Sequence, residues 1–257
     1  MITDIHTHIE PGKKSTEEFI AALKKAKVDK AIVLPIAPEV SNELINKECE
    51  KYPDKLIGFA STNPVGGKPA ADKLISDMKK LGLNGIKLHP KLQKFSLSDK
   101  KVVEFFKELD SKLQFQVPVL IDCWFSDSDS DQSVEQTINF FVSNDFKNLI
   151  FILAHSGGFK YNKIMPLANK ENLFIELSYV LNTFKKHNKE ALIHDFMQKL
   201  KEVDPSKIVF GSDFPECNIS ETVKLVEGLL DNYGFTPENK SKIFSGNITR
   251  LVSVKRK

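Results

Sequence analysis

Arginine is nearly absent: among 37 basic residues only Arg250 and Arg256 are arginines. That removes the bidentate guanidinium forks that usually read phosphate or guanine edges. Charge of one sign is lacking too, since 37 basic against 34 acidic side chains leave a net charge of +3. A surplus so small and evenly spread does not make nucleic acid or an anionic membrane the default partner. Cysteine is scarce. Cys49, Cys123 and Cys217 stand far apart with no CxxC pair, which excludes a disulfide scaffold and suits reduced thiols. No apolar run approaches the roughly 18 residues that a membrane-spanning helix needs. The opening MITDIHTHIE has neither the basic nor the apolar region of a secretory leader. The expectation is a soluble cytoplasmic protein.

With 257 residues, 41% of them hydrophobic, the chain can bury one large core. Eight short runs rich in Ile, Val, Leu and Phe recur, each followed by a longer stretch of helical period: Ile2–His8, Lys30–Ile36, Leu56–Asn63, Gly85–Pro90, Val117–Trp124, Leu149–His155, Leu173–Ser178 and Lys207–Asp213. Most read as nearly continuous apolar segments, as parallel strands covered on both faces do. Helix starts lie between them: Ser15 with Glu18 forms a capping box, Ser98-Asp99 opens another stretch, and Thr236-Pro237 opens a last helix expected to run through Leu251. Eight strand–helix repeats in about 250 residues predict an α/β fold, a single (β/α)8 TIM barrel. An open doubly wound sheet is the alternative, since a strand count does not prove closure. No linker or composition break divides residues 1–257, so one domain is expected. The segment Ser126–Asp131, alternating Ser and Asp, lacks the turn glycine and terminal glutamate of a calcium loop. It reads as a solvated loop with Asp131 as a helix cap. The tail Lys255-Arg256-Lys257 reads as a frayed end.

Asp4-Ile5-His6-Thr7-His8 ends the first run, and period-two alternation predicts Asp4, His6 and His8 on one face with Ile5 and Thr7 toward the helices. Two neutral imidazoles on a rigid strand suit a borderline divalent cation. The other runs also end in polar groups: Lys87 and His89, Asp122, His155, Glu176 and Ser178, Asp213. Such residues after several apolar ones are costly to bury unless paired or bound to metal. A string of them at one end of successive barrel strands predicts a metal site there.

The ordered set of HxH on strand one, histidine in FILAHSGG on strand six and aspartate in FGSDFP on strand eight resembles the amidohydrolase superfamily of metal-dependent hydrolases. GIKLHP and the closing FSGNITRL are similar to its "amidohydrolase 2" branch. The resemblance implies one divalent metal ion, zinc first with manganese or iron as alternatives, held by His6, His8 and His155 with Asp122 and Asp213 to complete the shell. A second metal bridged by Lys87 is not expected. Asp122 is a departure, because the family pattern at strand five resembles PVLIHTG, with histidine as the ligand. A carboxylate there either keeps the site with harder character or weakens it. The implied reaction is metal-assisted hydrolysis of an amide, ester or lactone-type bond in a small-molecule substrate. Asp213 is its base, His155 or the metal polarises the attacked carbonyl, and Lys87, His89 and Trp124 contact substrate. Non-oxidative decarboxylation is the alternative in the same superfamily, and a barrel with a degenerate metal site acting as a binding protein is the alternative of another class. A TatD-like nuclease is disfavoured, since GIKLHP stands where that group has a metal-binding glutamate. His187 and His194 read as surface or packing residues on one helix, and no cysteine has a nucleophile's setting. Assembly, a homodimer included, is left open.

Overall fold

The structure, a computed structural model, describes residues 1–9, 15–36 and 39–252. The basic tail 255–257 therefore lies outside the described residues. Eight parallel strands alternate with helices: β1 Thr3–His8, β2 Lys30–Leu34, β3 Leu56–Gly58, β4 Ile86–Leu88, β5 Val117–Asp122, β6 Leu149–Ala154, β7 Leu173–Glu176 and β8 Ile208–Val209. They form a three-stranded sheet β1-β2-β3 and a five-stranded sheet β4-β5-β6-β7-β8. Backbone bonds close the two gaps. Lys87 N–H donates to Ala60 O at 2.8 Å between β3 and β4, while Asp213 N–H reaches His6 O at 2.8 Å and His8 N–H reaches Phe214 O at 2.7 Å between the chain after β8 and β1. The fold is the expected (β/α)8 barrel.

Alternation along each strand divides the apolar residues into two sets. Val33, Ile86, Val119, Ile121, Phe151 and Ile175 pack outward against the helices. Ile32, Leu34, Leu120, Ile152, Phe174 and Val209 fill the interior together with Ile248 and Leu251 from the last helix. Ile5 belongs to this inner set, which corrects its expected place against the helices. The cause is a β-bulge in β1: Asp4 pairs with Ala31 and Thr7 with Val33, so Ile5 and His6 together oppose the one residue Ile32. One extra residue re-aims the side chains beyond it, as bulges beside functional sites do.

The capping box holds, with Ser15 and Glu18 exchanging side-chain and backbone bonds. Two other expectations are corrected. Ser130, not Asp131, caps the helix Asp131–Ser143, and Asp131 instead pairs with Lys163 at 2.9 Å. His187 and His194 do not share a helix: His187 caps the end of Val180–Lys186 and His194 lies on Glu190–Leu200, because Asn188 at φ 51° interrupts the run between them. The last helix starts after its Thr236 cap and runs past Leu251 as expected, with a π turn at Lys242–Gly246, where the Ile243 carbonyl is taken by Phe210 N–H of the barrel at 3.1 Å. No helix among the described residues is long and apolar enough to cross a membrane.

Candidate metal centre

The polar residues that end β1, β4, β5, β6, β7 and β8 meet inside one mouth of the barrel. Closure brings the first and eighth strands together, and the backbone bond from Asp213 to His6 O sets their register. Asp4, fully buried, accepts from His6 N–H at 3.2 Å and Ser212 N–H at 2.9 Å. Burial, only partly offset by those bonds, pushes its carboxyl up to about 7. Asp213 sits at φ 64° and His155 at φ 61°, both in the left-handed region. The backbone turns sharply at these strand ends, so their side chains face inward.

Three acceptors orient three imidazoles. His6 Nδ1–H donates to Glu176 Oε2 at 3.2 Å, His8 Nδ1–H to Leu34 O at 3.1 Å, and His155 Nδ1–H to Ser178 O at 3.2 Å. Fixing Nδ1 in this way turns the other nitrogen toward the centre, the arrangement that supports metal-bound histidines. His6 Nε2 then lies 3.3 Å and His8 Nε2 3.6 Å from the same oxygen, Asp213 Oδ1. Among the described residues, His6, His155 and Asp213 offer ligand atoms that all lie within 4.8 Å of one another, and His8 adjoins them through Asp213. Burial pushes His6 down to about 4, so its Nε2 carries a lone pair at neutral pH. Burial would raise Asp213, but the surrounding histidines hold it well below the ordinary carboxylate range. A lone pair and an ionised carboxylate facing each other call for a cation between them, and this donor set of imidazole and carboxylate fits a borderline divalent ion. Lys87, 2% exposed, sends its amino group there, its Nζ 3.2 Å from His6 Nε2. Burial pushes its pKa down against the pull of Asp122, Asp213 and Glu176.

Asp122 stands at the edge of this group. Its Oδ2 lies 3.1 Å from His155 Nε2 and 3.6 Å from His89 Nε2. With Nδ1 on Ser178 and Nε2 on Asp122, both nitrogens of His155 face acceptors. Burial would lower this imidazole, but the Asp122 bond and the Asp213 charge overcome it and raise the group to about 9. His89 is pushed down to about 4 by burial, and it caps the short helix Pro90–Gln93. Trp124 packs edge-on to His155 at 6.0 Å and to Tyr179 at 4.9 Å between ring centroids. It also borders a cavity of 190 Å³ that opens onto Asp122 between Phe95, Leu97 and Thr137. A larger concavity of 660 Å³ lies at the opposite mouth, beside Lys147, Asn172 and Lys207. None of the converging groups reaches it, and barrel chemistry sits at the C-terminal ends of the strands.

The model of a protein family described as amidohydrolase matches residues 6–254. The chain belongs to the amidohydrolase family. No curated protein matches it in sequence. Among solved structures, this amidohydrolase is similar to an uncharacterised TIM-barrel protein from Bordetella bronchiseptica (TM-score 0.80, 17% identity, 98% of each chain covered). It is also similar to a probable 2-pyrone-4,6-dicarboxylic acid hydrolase from Acinetobacter baumannii crystallised with citric acid (0.71, 18%, 98% of each). A third is a dihydroxybenzoic acid decarboxylase from Polaromonas with bound manganese and 2-nitroresorcinol (0.75, 16%, 100% of this chain and 98% of that one).

Glu176 is the residue of this amidohydrolase whose role the sequence did not reveal, although a carboxylate after LFI was a cue that it must be paired. It is fully buried and takes His6 Nδ1–H, His155 N–H and the Ser178 amide and hydroxyl. Gly211 leaves room for it: a Cβ there would collide with Glu176 Oε1 and stand 2.7 Å from His6 Cβ. Gly211→Ala is therefore expected to lower unfolding stability by about 1–3 kcal/mol through overpacking and to disturb metal binding with it. Urea titration and metal analysis of the purified variant check both; unchanged values would show that the site tolerates the methyl group.

Proposed function

We propose that this amidohydrolase hydrolyses an amide, ester or lactone-type bond in a small molecule, as a single cytoplasmic barrel domain, with zinc held by His6, His8 and Asp213. The observation that carries the reading is the approach of two imidazole Nε2 atoms to one carboxylate oxygen, at 3.3 and 3.6 Å. When bound, the cation supplies Lewis acidity that makes water a nucleophile near neutral pH. Asp213, ionised and 8% exposed, takes the proton of the attacking water and passes it to the leaving group. His155, its N–H groups held by Ser178 and Asp122, places positive charge beside the carbonyl under attack. With its nitrogens on Ser178 and Asp122, His155 takes the part of a positively charged donor, and it lies in the same group of side chains as His6 and Asp213. Lys87 and His89 meet polar groups of the substrate, and Trp124 walls the 190 Å³ cavity.

Decarboxylation of an aromatic acid is the second reading. It draws on the likeness to the dihydroxybenzoic acid decarboxylase and on Lys87, a buried amine able to meet a carboxylate. Protein loaded with zinc or manganese and offered lactones, esters and hydroxybenzoates separates the two: acid release without carbon dioxide supports hydrolysis, and carbon dioxide release overturns it. Either activity is expected to fall at least ~100-fold on chelation and return with the metal. A chain that takes up no stoichiometric metal would instead be a binding protein.

A further inference from the structure

Immediately after β7 the backbone makes a turn of a rare kind. Tyr179 has φ 62° and ψ −42°, and Val180 N–H donates to Ser178 O at 2.6 Å across it. This is a γ-turn of positive φ, strained for any L-residue and more so for a bulky one. Contacts on both sides hold it. The Tyr179 ring stands edge-on to Trp124 at 4.9 Å and to His155 at 5.8 Å. On the other side the Ser178 amide and hydroxyl donate to Glu176 at 2.5 and 2.7 Å. The turn has a consequence at the centre: the Ser178 carbonyl that accepts Val180 N–H also accepts His155 Nδ1–H at 3.2 Å, and Ser178 Oγ lies 3.0 Å from the same nitrogen. Strain kept beside a reacting group, where relaxation to an ordinary turn would swing that carbonyl away, points to a positional role.

We propose that Tyr179 is a positioning residue: its ring, wedged between Trp124 and His155, holds the Ser178–Tyr179–Val180 γ-turn, and the turn fixes the His155 imidazole through the Ser178 carbonyl. Tyr179 itself touches no reacting atom. The inference deepens the reading of His155 as donor, yet it is testable without substrate or metal, so its failure is separate from the failure of that reading.

The test uses the whole chain with ¹⁵N-labelled histidine at neutral pH. The imidazole N–H protons of His155 are assigned by their absence from His155→Gln. Tyr179→Phe keeps the wedge and is expected to match the wild type. Tyr179→Ala frees the turn to relax, and the Nδ1–H proton is expected to exchange with water about tenfold faster or more. Tyr179→Gly removes the ring as well and leaves the most permissive of residues in its place, so it is expected to lose protection at least as far as alanine. A merely structural tyrosine would lower the melting temperature of the alanine variant and leave this proton unchanged, and that result overturns the proposal. Retention of protection in the glycine variant also overturns it, since the turn would then hold without the ring. If the alanine variant does not fold, Trp124→Ala removes the wedge from the other side: the same loss supports the proposal and retention overturns it.

Discussion

Asp213→Asn is expected to strip the centre of its cation and its activity together. The asparagine keeps the size and the backbone bond to His6 O, so the barrel closes as before. It removes the negative charge that His6 and His8 face at 3.3 and 3.6 Å, leaving two imidazoles with no anionic partner for the metal. Loss of a carboxylate ligand weakens metal affinity by at least the ~10–100-fold seen when supporting groups are removed. Loss of the base costs a further ~10²–10⁴-fold in rate. Metal content after desalting and turnover with metal in excess separate the two effects. Full metal content with a rate within a few-fold of wild type would remove Asp213 from both roles.

Asp122→Asn is expected to behave differently, and the difference follows from what Asp122 touches. Its carboxylate lies against His155 Nε2 at 3.1 Å and faces His89 Nε2 at 3.6 Å. Asparagine should thus leave metal affinity within a few-fold while lowering the rate. It also leaves a buried imidazolium without its counter-charge, for which about 3–5 kcal/mol of stability is the usual loss. Asp122→His would place two imidazoles together and lower His155 further. A tenfold loss of metal affinity in Asp122→Asn, restored by Asp122→His, would instead make Asp122 a ligand.

The same pair predicts a pH dependence in the metal-free protein. His155 is raised from 6.5 to about 9 in the fold. Its contribution is therefore complete below about 6.5 and is lost as pH rises through 9, an effect on the order of 3 kcal/mol. Lys87, lowered by burial, works in the opposite sense in the alkaline range. His155→Gln isolates the His155 part: the fall in urea stability between these pH values should be larger in the wild type than in this variant. Equal slopes would show that His155 is not charged in the fold.

Much of the barrel was legible in the linear order. Runs such as VPVLID and LIFILA are apolar on both faces, which only a covered parallel strand requires. Asp and His placed directly after them mark the end at which function gathers, because burying such groups unpaired is costly. Side-chain partners were not legible. Whether Asp122 faces the metal or His155, and that Glu176 holds His6 across 170 positions of sequence, depend on strand register and barrel closure. The bulge at Ile5 and His6 shows why: one unpaired residue changes which face a side chain occupies while leaving the apolar pattern nearly the same. Residue types and their spacing thus determined the strands, the helices and the mouth of the barrel where polar groups collect. Only tertiary structure decided which nitrogen meets which oxygen, because those distances of about 3 Å are set by backbone bonds between strands far apart in sequence.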